Sequence, residues 1–184
     1  MAMKKNAVKR VAIVGFGFMG RMHYGNWKKM KGAKVVALCD KDASQFTAPI
    51  QGGNIAGADA ATDFGDAVVY DDFDRMLAEA KPDVISLTLP TPLHVPLTIK
   101  ALEAGVSVLC EKPMALNAAE CGKMIAAAKR APNGAKLMIA QCLRFWPCYV
   151  YLKRLVDSGK YGKVLAASFR RYSAPPGWGK GKSW

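Results

Sequence analysis

The sequence has little acidic charge, few histidines and no long apolar run. Its 184 residues include 14 Asp and Glu against 27 Lys and Arg, and only two histidines. No apolar stretch approaches the ~20 residues that a membrane-spanning helix requires. The apolar run after the basic N-terminus reaches only from Val11 to Val14, which is too short for the core of a signal peptide. These absences predict a cytoplasmic protein with no membrane partner.

The cysteines are five in number and form no C-x-x-C pair. They are Cys39, Cys110, Cys121, Cys142 and Cys148. Most lie inside apolar runs, which is typical of buried thiols in a reducing compartment rather than of disulfides. No ligand spacing in the sequence indicates a metal site.

Positive charge is concentrated at the two ends of the chain. The net charge is +8 over residues 1–40, −3 over 41–140 and +8 over 141–184. A basic balance favours anionic partners, among them a dinucleotide phosphate, a sugar acid or a nucleic-acid backbone. No helix-turn-helix, zinc spacing or base-stacking pattern supports nucleic-acid binding, so no nucleic-acid partner is predicted.

Short apolar runs recur along the chain and predict strands buried on both faces of a parallel sheet. They cover residues 11–14, 35–39, 84–89, 106–110 and 137–140, with a brief strand at 68–70. Helices are predicted over 18–31, from Thr91 to 105, from a cap at Asn117 to about 130, and over 147–158. This alternation predicts an α/β fold with a doubly wound parallel sheet.

Residues 42–67 interrupt the alternation. They are rich in Gly, Ala and Asp and predict an irregular excursion with at most a short helix. Such a segment is either a loop over a cofactor site or a tolerated insertion, and the second interpretation is favoured.

Three glycines with the spacing G-x-G-x-x-G follow the first predicted strand and lead into a helix. Gly15 permits the tight turn, Gly17 lets the backbone approach a pyrophosphate, and Gly20 lets the helix pack against the strand. The N–H groups at the helix start also favour phosphate. The predicted cofactor-binding turn comprises Gly15, Phe16, Gly17, Phe18, Met19 and Gly20. The alternative is that the glycines serve only the strand-to-helix turn.

Asp40 stands at the end of the next apolar run. A carboxylate at this place can accept hydrogen bonds from both hydroxyls of the adenosine ribose and repels a 2′-phosphate, which favours NAD over NADP. Lys41 follows directly, and a cation beside the ribose can tolerate the phosphate. NAD is therefore the predicted cofactor, with NADP as the alternative.

Three further segments follow predicted strands: LPTPLH at 89–94, CEKPMALN at 110–117 and QCLRFWP at 141–147. Since the carboxyl ends of parallel strands line one crevice, these segments are expected to face the dinucleotide. Together with the glycine turn, they resemble the family of glucose-fructose oxidoreductase and inositol dehydrogenase (Gfo/Idh/MocA). In that family E-K-P and T-P-x-x-H-like residues are characteristic, and His94 stands one place early here.

The resemblance implies an NAD(P)-dependent oxidoreductase that transfers hydride between nicotinamide and a sugar, polyol or related secondary alcohol. It places Lys112 near the reacting hydroxyl as the candidate catalytic residue, with Glu111 positioning it and Pro113 stiffening the turn. Oxidation of an alcohol requires the hydroxyl proton to leave, and a lysine withdrawn from water can assist that step. The alternative is an ordinary surface lysine whose stem covers apolar neighbours.

The resemblance also extends the set of cofactor-binding residues beyond the glycine turn. The added residues are Pro90, Thr91, His94, Glu111, Lys112 and Arg144. His94 is equally typical of a hydrogen-bonded structural residue, and Arg144 lies in an aromatic-rich junction that is more typical of packing. His23, inside the first helix, is predicted to be packed rather than catalytic.

The resemblance divides the chain into a Rossmann domain over residues 1–143 and the start of a truncated α+β domain over 144–184. It implies a crossover helix and a first strand over 163–172, whereas the catalytic Asp and His of the family's second domain are missing. An unpaired strand edge favours pairing with another copy or another polypeptide, and thus a homo-oligomer. A non-catalytic dinucleotide-binding module is the alternative function, and activity of the 184-residue chain alone is left open.

Overall fold

The computed structural model describes residues 8–47 and 64–172, which contain one six-stranded sheet. The strands are β1 (Lys9–Val14), β2 (Ala33–Cys39), β3 (Val68–Tyr70), β4 (Val84–Leu87), β5 (Ser107–Cys110) and β6 (Leu137–Ile139). Their order is β3-β2-β1-β4-β5-β6, and every neighbouring pair is parallel. The order reverses between β1 and β4, and this switch point is where open α/β sheets bind ligands.

Five α-helices lie within the described ranges. They are α1 (Phe18–Lys28), α2 (Phe73–Ala80), α3 (His94–Glu103), α4 (Ala118–Arg130) and α5 (Pro147–Asp157). Short 3₁₀ turns cover Ala43–Phe46, Thr91–Leu93, Pro132–Gly134 and Cys142–Phe145. None of the helices in residues 8–47 and 64–172 combines the length and apolar character needed to cross a bilayer. The predicted α/β doubly wound Rossmann fold is confirmed.

The sheet is covered on both faces, as β1 shows directly. Its Val11 and Ile13 side chains pack with Tyr24 of α1, whereas Ala12 and Val14 belong to a second apolar cluster. These four side chains are each at most 1% exposed. The second cluster includes a buried side chain from each of α2, α3 and α4, namely Met76, Leu102 and Met124. This two-sided burial is the reason that the strand sequences show apolar runs instead of alternation.

Local capping signals set the helix boundaries. Asn117 caps α4, because its Oδ1 accepts the N–H of Glu120 at 3.0 Å, as the predicted capping box requires. Helix α2 was not predicted from the sequence. Its cap is Asp72, whose Oδ1 accepts the N–H of Arg75 at 2.8 Å. An acidic residue directly before an apolar periodic stretch is the signal that would have identified α2.

The predicted excursion over 42–67 is described only at its two ends, since residues 48–63 lie outside the described residues. Its first part forms the 3₁₀ turn Ala43–Phe46, capped by the side chain of Asp42. Phe46 and Phe64, one from each end, pack on Phe16 with ring centroids 5.2 and 5.3 Å from the Phe16 ring. Both ends of the excursion are therefore anchored on the glycine turn.

The strand predicted over residues 163–172 is not formed, which corrects the sequence-based expectation. These residues are exposed and carry no regular secondary structure, and α5 before them has no buried residue. A strand is held by hydrogen bonds to a neighbouring strand, and none is paired with 163–172 in the described part of the chain. The predicted pairing of copies through this strand edge therefore has no support from the structure.

The prediction of mostly buried thiols is correct for two of the five cysteines. Cys39 and Cys110 are buried in the sheet and Cys121 is partly buried, but Cys142 and Cys148 are exposed. The exposed pair lies in the 3₁₀ turn before α5 and in α5 itself. Neither the turn nor α5 has a buried residue, so the apolar side chains of this segment, like its two cysteines, are not part of the core.

Replacing Gly20 by Ala is expected to destabilise the fold, because a Cβ there would overlap the carbonyl oxygen of Gly15. We expect the free energy of unfolding, measured in urea, to fall by about 3 kcal/mol or more. Gly25→Ala is the matched control, since Gly25 lies in the same helix with nothing near its ideal Cβ. That control should raise the free energy of unfolding by about 0.5–1 kcal/mol. Parent-like stability of Gly20→Ala would contradict this close packing.

Candidate functional site

The carboxyl ends of the central strands meet at one edge of the sheet and bring the predicted site residues together. Hydrogen bonds continue past the strand ends: Gly15 N–H donates to the Cys39 carbonyl at 2.8 Å, and Glu111 N–H donates to the Leu87 carbonyl at 2.9 Å. The loops after β1, β2, β4 and β5 are therefore neighbours. This arrangement forms the crevice that the sequence predicts for a dinucleotide.

Gly15 and Thr88 fix the turn that follows β1. Gly15 has a φ of +90°, and a Cβ at this position would lie 2.9 Å from the backbone of Thr88 and Leu89. The Thr88 hydroxyl donates to the Gly15 carbonyl at 2.6 Å and lies 3.1 Å from the Val14 carbonyl. Thr88 was missed in the sequence, where a hydroxyl directly after the buried strand β4 was its only signal.

The N-terminus of α1 presents a row of unpaired backbone donors. No side chain caps this helix, and the N–H of Arg21 is bonded to the carbonyl of Gly17 at 3.0 Å. Within the described residues, the four N–H groups of residues 17–20 have no hydrogen-bond partner. Unpaired N–H groups at the positive end of a helix dipole fit a diphosphate. The donor set therefore matches the pyrophosphate of a dinucleotide.

Gly17 leaves open the space in front of these donors. An ideal Cβ at Gly17 would meet only Oε1 of Gln45, at 3.8 Å, and the backbone φ of −70° is accessible to any residue. The protein's own packing thus does not require glycine at this position. A ligand that approaches the backbone at Gly17 does require it, which is a second indication that the turn fits a dinucleotide.

Phe16 holds the glycine turn in place through its backbone and its ring. Its N–H donates to Oδ2 of Asp40 at 2.7 Å, so this donor is already used within the protein. Its ring is fully buried among Tyr24, Phe46 and Phe64. Phe16 is therefore placed to hold the turn rather than to donate to phosphate. Phe18 and Met19, at the start of α1, are partly exposed.

Asp40 lies where the sequence predicts the ribose carboxylate. It is partly exposed; Oδ2 accepts from Phe16 N–H and Oδ1 accepts from Asp42 N–H at 3.0 Å. A carboxylate oxygen has two lone pairs, so each oxygen can accept a further hydrogen bond. Lys41 is exposed beside it. The carboxylate is thus fixed in orientation and still able to accept from ribose hydroxyls.

A polar network lies beneath the crevice between α1, β4 and β5. His23 places Nδ1 2.6 Å from Oγ of Ser86 and Nε2 3.1 Å from Oε1 of Glu111. Trp27 Nε1–H donates to the same Ser86 hydroxyl at 3.3 Å. His23 is therefore packed, as predicted, but its partners were missed because they lie far away in the sequence. A lone serine within the buried strand VISL was the available signal.

Glu111 is held ionised by this network. Burial raises the pKa of its carboxyl, but the hydrogen bond from His23, the Lys112 N–H and the nearby charges of His23 and Lys112 lower it by more. The net result is a pKa below the ordinary value of 4.5. The carboxylate therefore acts as a hydrogen-bond acceptor for both His23 and the backbone of Lys112 at neutral pH.

Lys112 begins the turn that leaves β5, and a cis peptide bond joins it to Pro113. Its N–H donates to Oε2 of Glu111 at 2.9 Å, which ties its backbone to the network. Its side chain is exposed in the described part of the chain.

His94 connects the loops that follow β4 and β5. Its side chain is 1% exposed, with Nδ1 2.9 Å from the Pro113 carbonyl and Nε2 2.8 Å from the Leu89 carbonyl. Of the two interpretations of His94, the structure therefore favours the hydrogen-bonded structural residue. In the same loop, Pro90 is exposed and Thr91 is buried.

Within the described residues, Arg144 does not belong to the hydrogen-bond network described above. It is exposed in the 3₁₀ turn Cys142–Phe145, which follows β6. Within residues 8–47 and 64–172, its side chain makes no hydrogen bond or ion pair with Lys112, Asp40 or the glycine turn. The structure thus joins the glycine turn to Asp40, and Lys112 through Glu111 to His23, whereas Arg144 has no such link within the described residues.

The sequence matches a family described as an oxidoreductase family with an NAD-binding Rossmann fold (GFO_IDH_MocA) over residues 9–139. It is 33% identical over 151 residues to D-apiose dehydrogenase of Paraburkholderia graminis, covering 82% of this chain and 37% of that protein. It is 30% identical over 167 residues to inositol 2-dehydrogenase of Salmonella typhimurium, covering 90% of this chain and 46% of that protein. The chain thus spans less than half the length of these curated relatives.

Solved structures share the fold. Apo scyllo-inositol dehydrogenase of Lactobacillus casei superposes with a TM-score of 0.73 at 28% identity, over 86% of this chain and 44% of that chain. The structure of scyllo-inositol dehydrogenase from the same organism with bound NAD(H) and scyllo-inositol gives a TM-score of 0.71 at 28% identity, over 84% and 42% of the two chains. The described crevice is that of an NAD-binding Rossmann fold.

Glu111→Gln is expected to lower the free energy of unfolding by about 1–2 kcal/mol at pH 7, because it removes a charge-assisted acceptor from His23 and Lys112. The folded-state pKa of Glu111 lies below its ordinary value, so this stabilisation is present above about pH 4.5 and is lost as the pH falls through the folded-state pKa. Urea unfolding at several pH values measures the difference between the two proteins.

Glu103→Gln is the control for this measurement, since Glu103 is exposed at the end of α3. Its effect should be within about 0.5 kcal/mol at every pH. A difference between Glu111→Gln and the parent protein that does not change between pH 7 and pH 3 would contradict the assigned network.

Proposed function

The chain belongs to the Gfo/Idh/MocA oxidoreductase family, and from this we propose that it takes part in hydride transfer between NAD and a sugar, polyol or related secondary alcohol. The observation that carries the proposal is the row of unpaired N–H groups at residues 17–20, together with the open space at Gly17. The packing of the protein does not require either feature, since a side chain at Gly17 would not clash with the rest of the chain.

NAD is the preferred cofactor in this proposal. Asp40 is held by Phe16 N–H at the end of β2 and keeps lone pairs for the adenosine ribose. Its negative charge disfavours the additional 2′-phosphate of NADP, and the exposed Lys41 is the residue that can offset this effect. When bound, the nicotinamide of NAD accepts hydride from the carbon that carries the alcohol.

The proposed substrate class is a polyhydroxylated small molecule. Relatives are named for D-apiose and inositol, and one solved neighbour was crystallised with scyllo-inositol. These names belong to proteins of which this chain covers less than half, so the individual substrate is not assigned. The basic charge of the chain is compatible with acidic sugars as well as neutral ones.

Lys112 is the proposed catalytic residue. It leaves the end of β5 with its backbone fixed by Glu111, and its ammonium can orient a substrate hydroxyl and assist the departure of the hydroxyl proton. Thr91 and Pro90 are proposed to line the cofactor crevice, whereas His94 is proposed to hold their loop against the Lys112 turn. Arg144 stays a proposed contact of the cofactor or substrate.

A non-catalytic dinucleotide-binding module is the second candidate function. The chain contains two histidines, and both are engaged: His23 with Ser86 and Glu111, and His94 with two backbone carbonyls. Neither histidine is placed as an acid or base in the crevice. This observation favours a role in which the dinucleotide is bound without turnover.

We also propose that the boundary of the nucleotide-binding unit lies at residues 143/144. The family match ends at residue 139 with β6, and α5 beyond the boundary has no buried residue. Residues 144–172 carry exposed apolar side chains, including Phe145, Tyr151, Leu165 and Phe169. This composition supports a segment that belongs to a different structural unit.

Gly17→Val is expected to weaken binding of NADH at least about 100-fold, which corresponds to about 2.7 kcal/mol. The valine side chain would occupy the approach of the diphosphate, while the extended backbone at Gly17 accepts it. Calorimetric titration with NADH measures the effect, and we expect a micromolar-range Kd for the parent chain. Gly25→Ala, in the same helix, should leave the Kd unchanged, and an unchanged Kd for Gly17→Val would count against the site.

Hydride transfer tests the catalytic part of the proposal. NAD and a panel of polyols and aldoses should give NADH with at least one substrate, and Lys112→Met should slow that reaction at least about 100-fold. Formation of NADH can be followed by its fluorescence. Binding of NADH without turnover on any substrate would support the non-catalytic module, and turnover that is insensitive to Lys112→Met would exclude the proposed role of Lys112.

A further inference from the structure

His23 joins the three elements that meet beneath the crevice. It lies on α1, and its two ring nitrogens reach Ser86 on β4 and Glu111 at the end of β5. The side chains of His23 and Glu111 are each 11% exposed, and Ser86 is fully buried. A polar cluster this deep is held in place by its own hydrogen bonds.

The partners determine which nitrogen of the neutral His23 ring carries the hydrogen. Trp27 Nε1–H donates to Ser86 Oγ, so the serine hydroxyl hydrogen is free to donate to Nδ1 of His23. Nε2 then carries the hydrogen and donates it to Glu111, because an ionised carboxylate only accepts. With this assignment, each polar hydrogen from Trp27 to Glu111 has an acceptor.

Glu111 links His23 to the turn that contains Lys112. Its Oε1 is held by His23, and its Oε2 accepts the N–H of Lys112 at 2.9 Å. Both oxygens belong to one planar group, so anchoring the first fixes the direction of the second. Without the bond from His23, the carboxylate is free to rotate towards water and release the Lys112 backbone.

We propose that His23 is a positioning residue that orients the Glu111 carboxylate and, through it, the backbone of Lys112. His23 follows Gly20 by three residues, about one helical turn, so the same helix supplies the diphosphate donors and the anchor of the lysine turn. The proposal deepens the proposed function and rests on it, since Lys112 has a catalytic meaning only if the chain binds the dinucleotide and its substrate.

The unaltered 184-residue chain provides the first test. Nitrogen-15 NMR of the His23 ring, at a pH where the ring is neutral, is expected to show the tautomer with hydrogen on Nε2. The tautomer with hydrogen on Nδ1 would overturn the proposal, because Nε2 would then have no hydrogen to donate to Glu111. This measurement needs no substitution and does not depend on dinucleotide binding.

Two substitutions at His23 provide the second test. His23→Gln places an amide near the position of Nε2 and can still donate to Glu111, whereas His23→Asn places its amide near Nδ1 and reaches only Ser86. Hydrogen exchange of the Lys112 amide, measured by NMR, is expected to be at least about tenfold faster in His23→Asn. In His23→Gln it should stay within about threefold of the parent. The amides of Arg75 and Glu120, which donate to the caps of α2 and α4 and not to the His23 network, are the internal controls.

Three outcomes overturn the proposal: equal acceleration in both variants, no acceleration in either, or acceleration confined to His23→Gln. Each would show that the Lys112 backbone does not depend on the Nε2 contact. Ser86→Ala serves if His23→Asn fails to fold, since it removes the partner of Nδ1 and of Trp27 Nε1–H but keeps the Nε2 contact with Glu111, and it should leave Lys112 exchange within about threefold of the parent. Faster exchange than that would also overturn it.

Titration of the same proteins with NADH separates this proposal from the proposed function. Failure of the parent chain to bind NADH would remove the proposed function, and the exchange result would still decide the role of His23. Normal NADH binding together with any of the overturning exchange results would remove the role of His23 alone.

Discussion

The contact between Gly20 and the carbonyl of Gly15 determines how the first helix meets the sheet. A side chain at Gly20 would overlap that carbonyl, so α1 can start this close to β1 only because the position has none. The Thr88 hydroxyl donates to the same carbonyl. The N-terminus of α1 is therefore fixed at the switch point of the sheet, and its unpaired N–H groups face the crevice that the surrounding loops enclose.

The parts of this arrangement that depend on local sequence could be predicted. The strand-glycine-helix order places the turn, the apolar runs place the strands, and Asp40 follows from its position at the end of β2. The contacts of these residues could not be predicted in the same way. Nothing near Asp40 in the sequence indicates that it accepts the N–H of Phe16, and His23 and Glu111 are separated by 88 positions. Hydrogen bonds between such distant residues form only because the parallel strands bring their loops together at one edge of the sheet.

The errors of the sequence interpretation have one physical origin. Whether an apolar residue is buried depends on what the folded chain packs against it and not on the residue type alone. Residues 163–172 have the composition of a strand, but a strand forms only when it pairs with another strand, and no described strand pairs with these residues. Cys142 and Cys148 were expected to be buried thiols, and they are exposed because the turn before α5 and α5 itself have no buried residue. The glycine turn and Asp40 are thus held by hydrogen bonds of the chain itself, whereas the N–H groups of residues 17–20 have no partner within the described residues.

The most direct test of this account is a crystal structure of the chain with NADH. The account predicts that the diphosphate oxygens lie within hydrogen-bond distance of the N–H groups of residues 17–20 and that the adenosine ribose hydroxyls lie against Asp40. A dinucleotide bound elsewhere, or a side chain of the protein filling the space in front of Gly17, would contradict it.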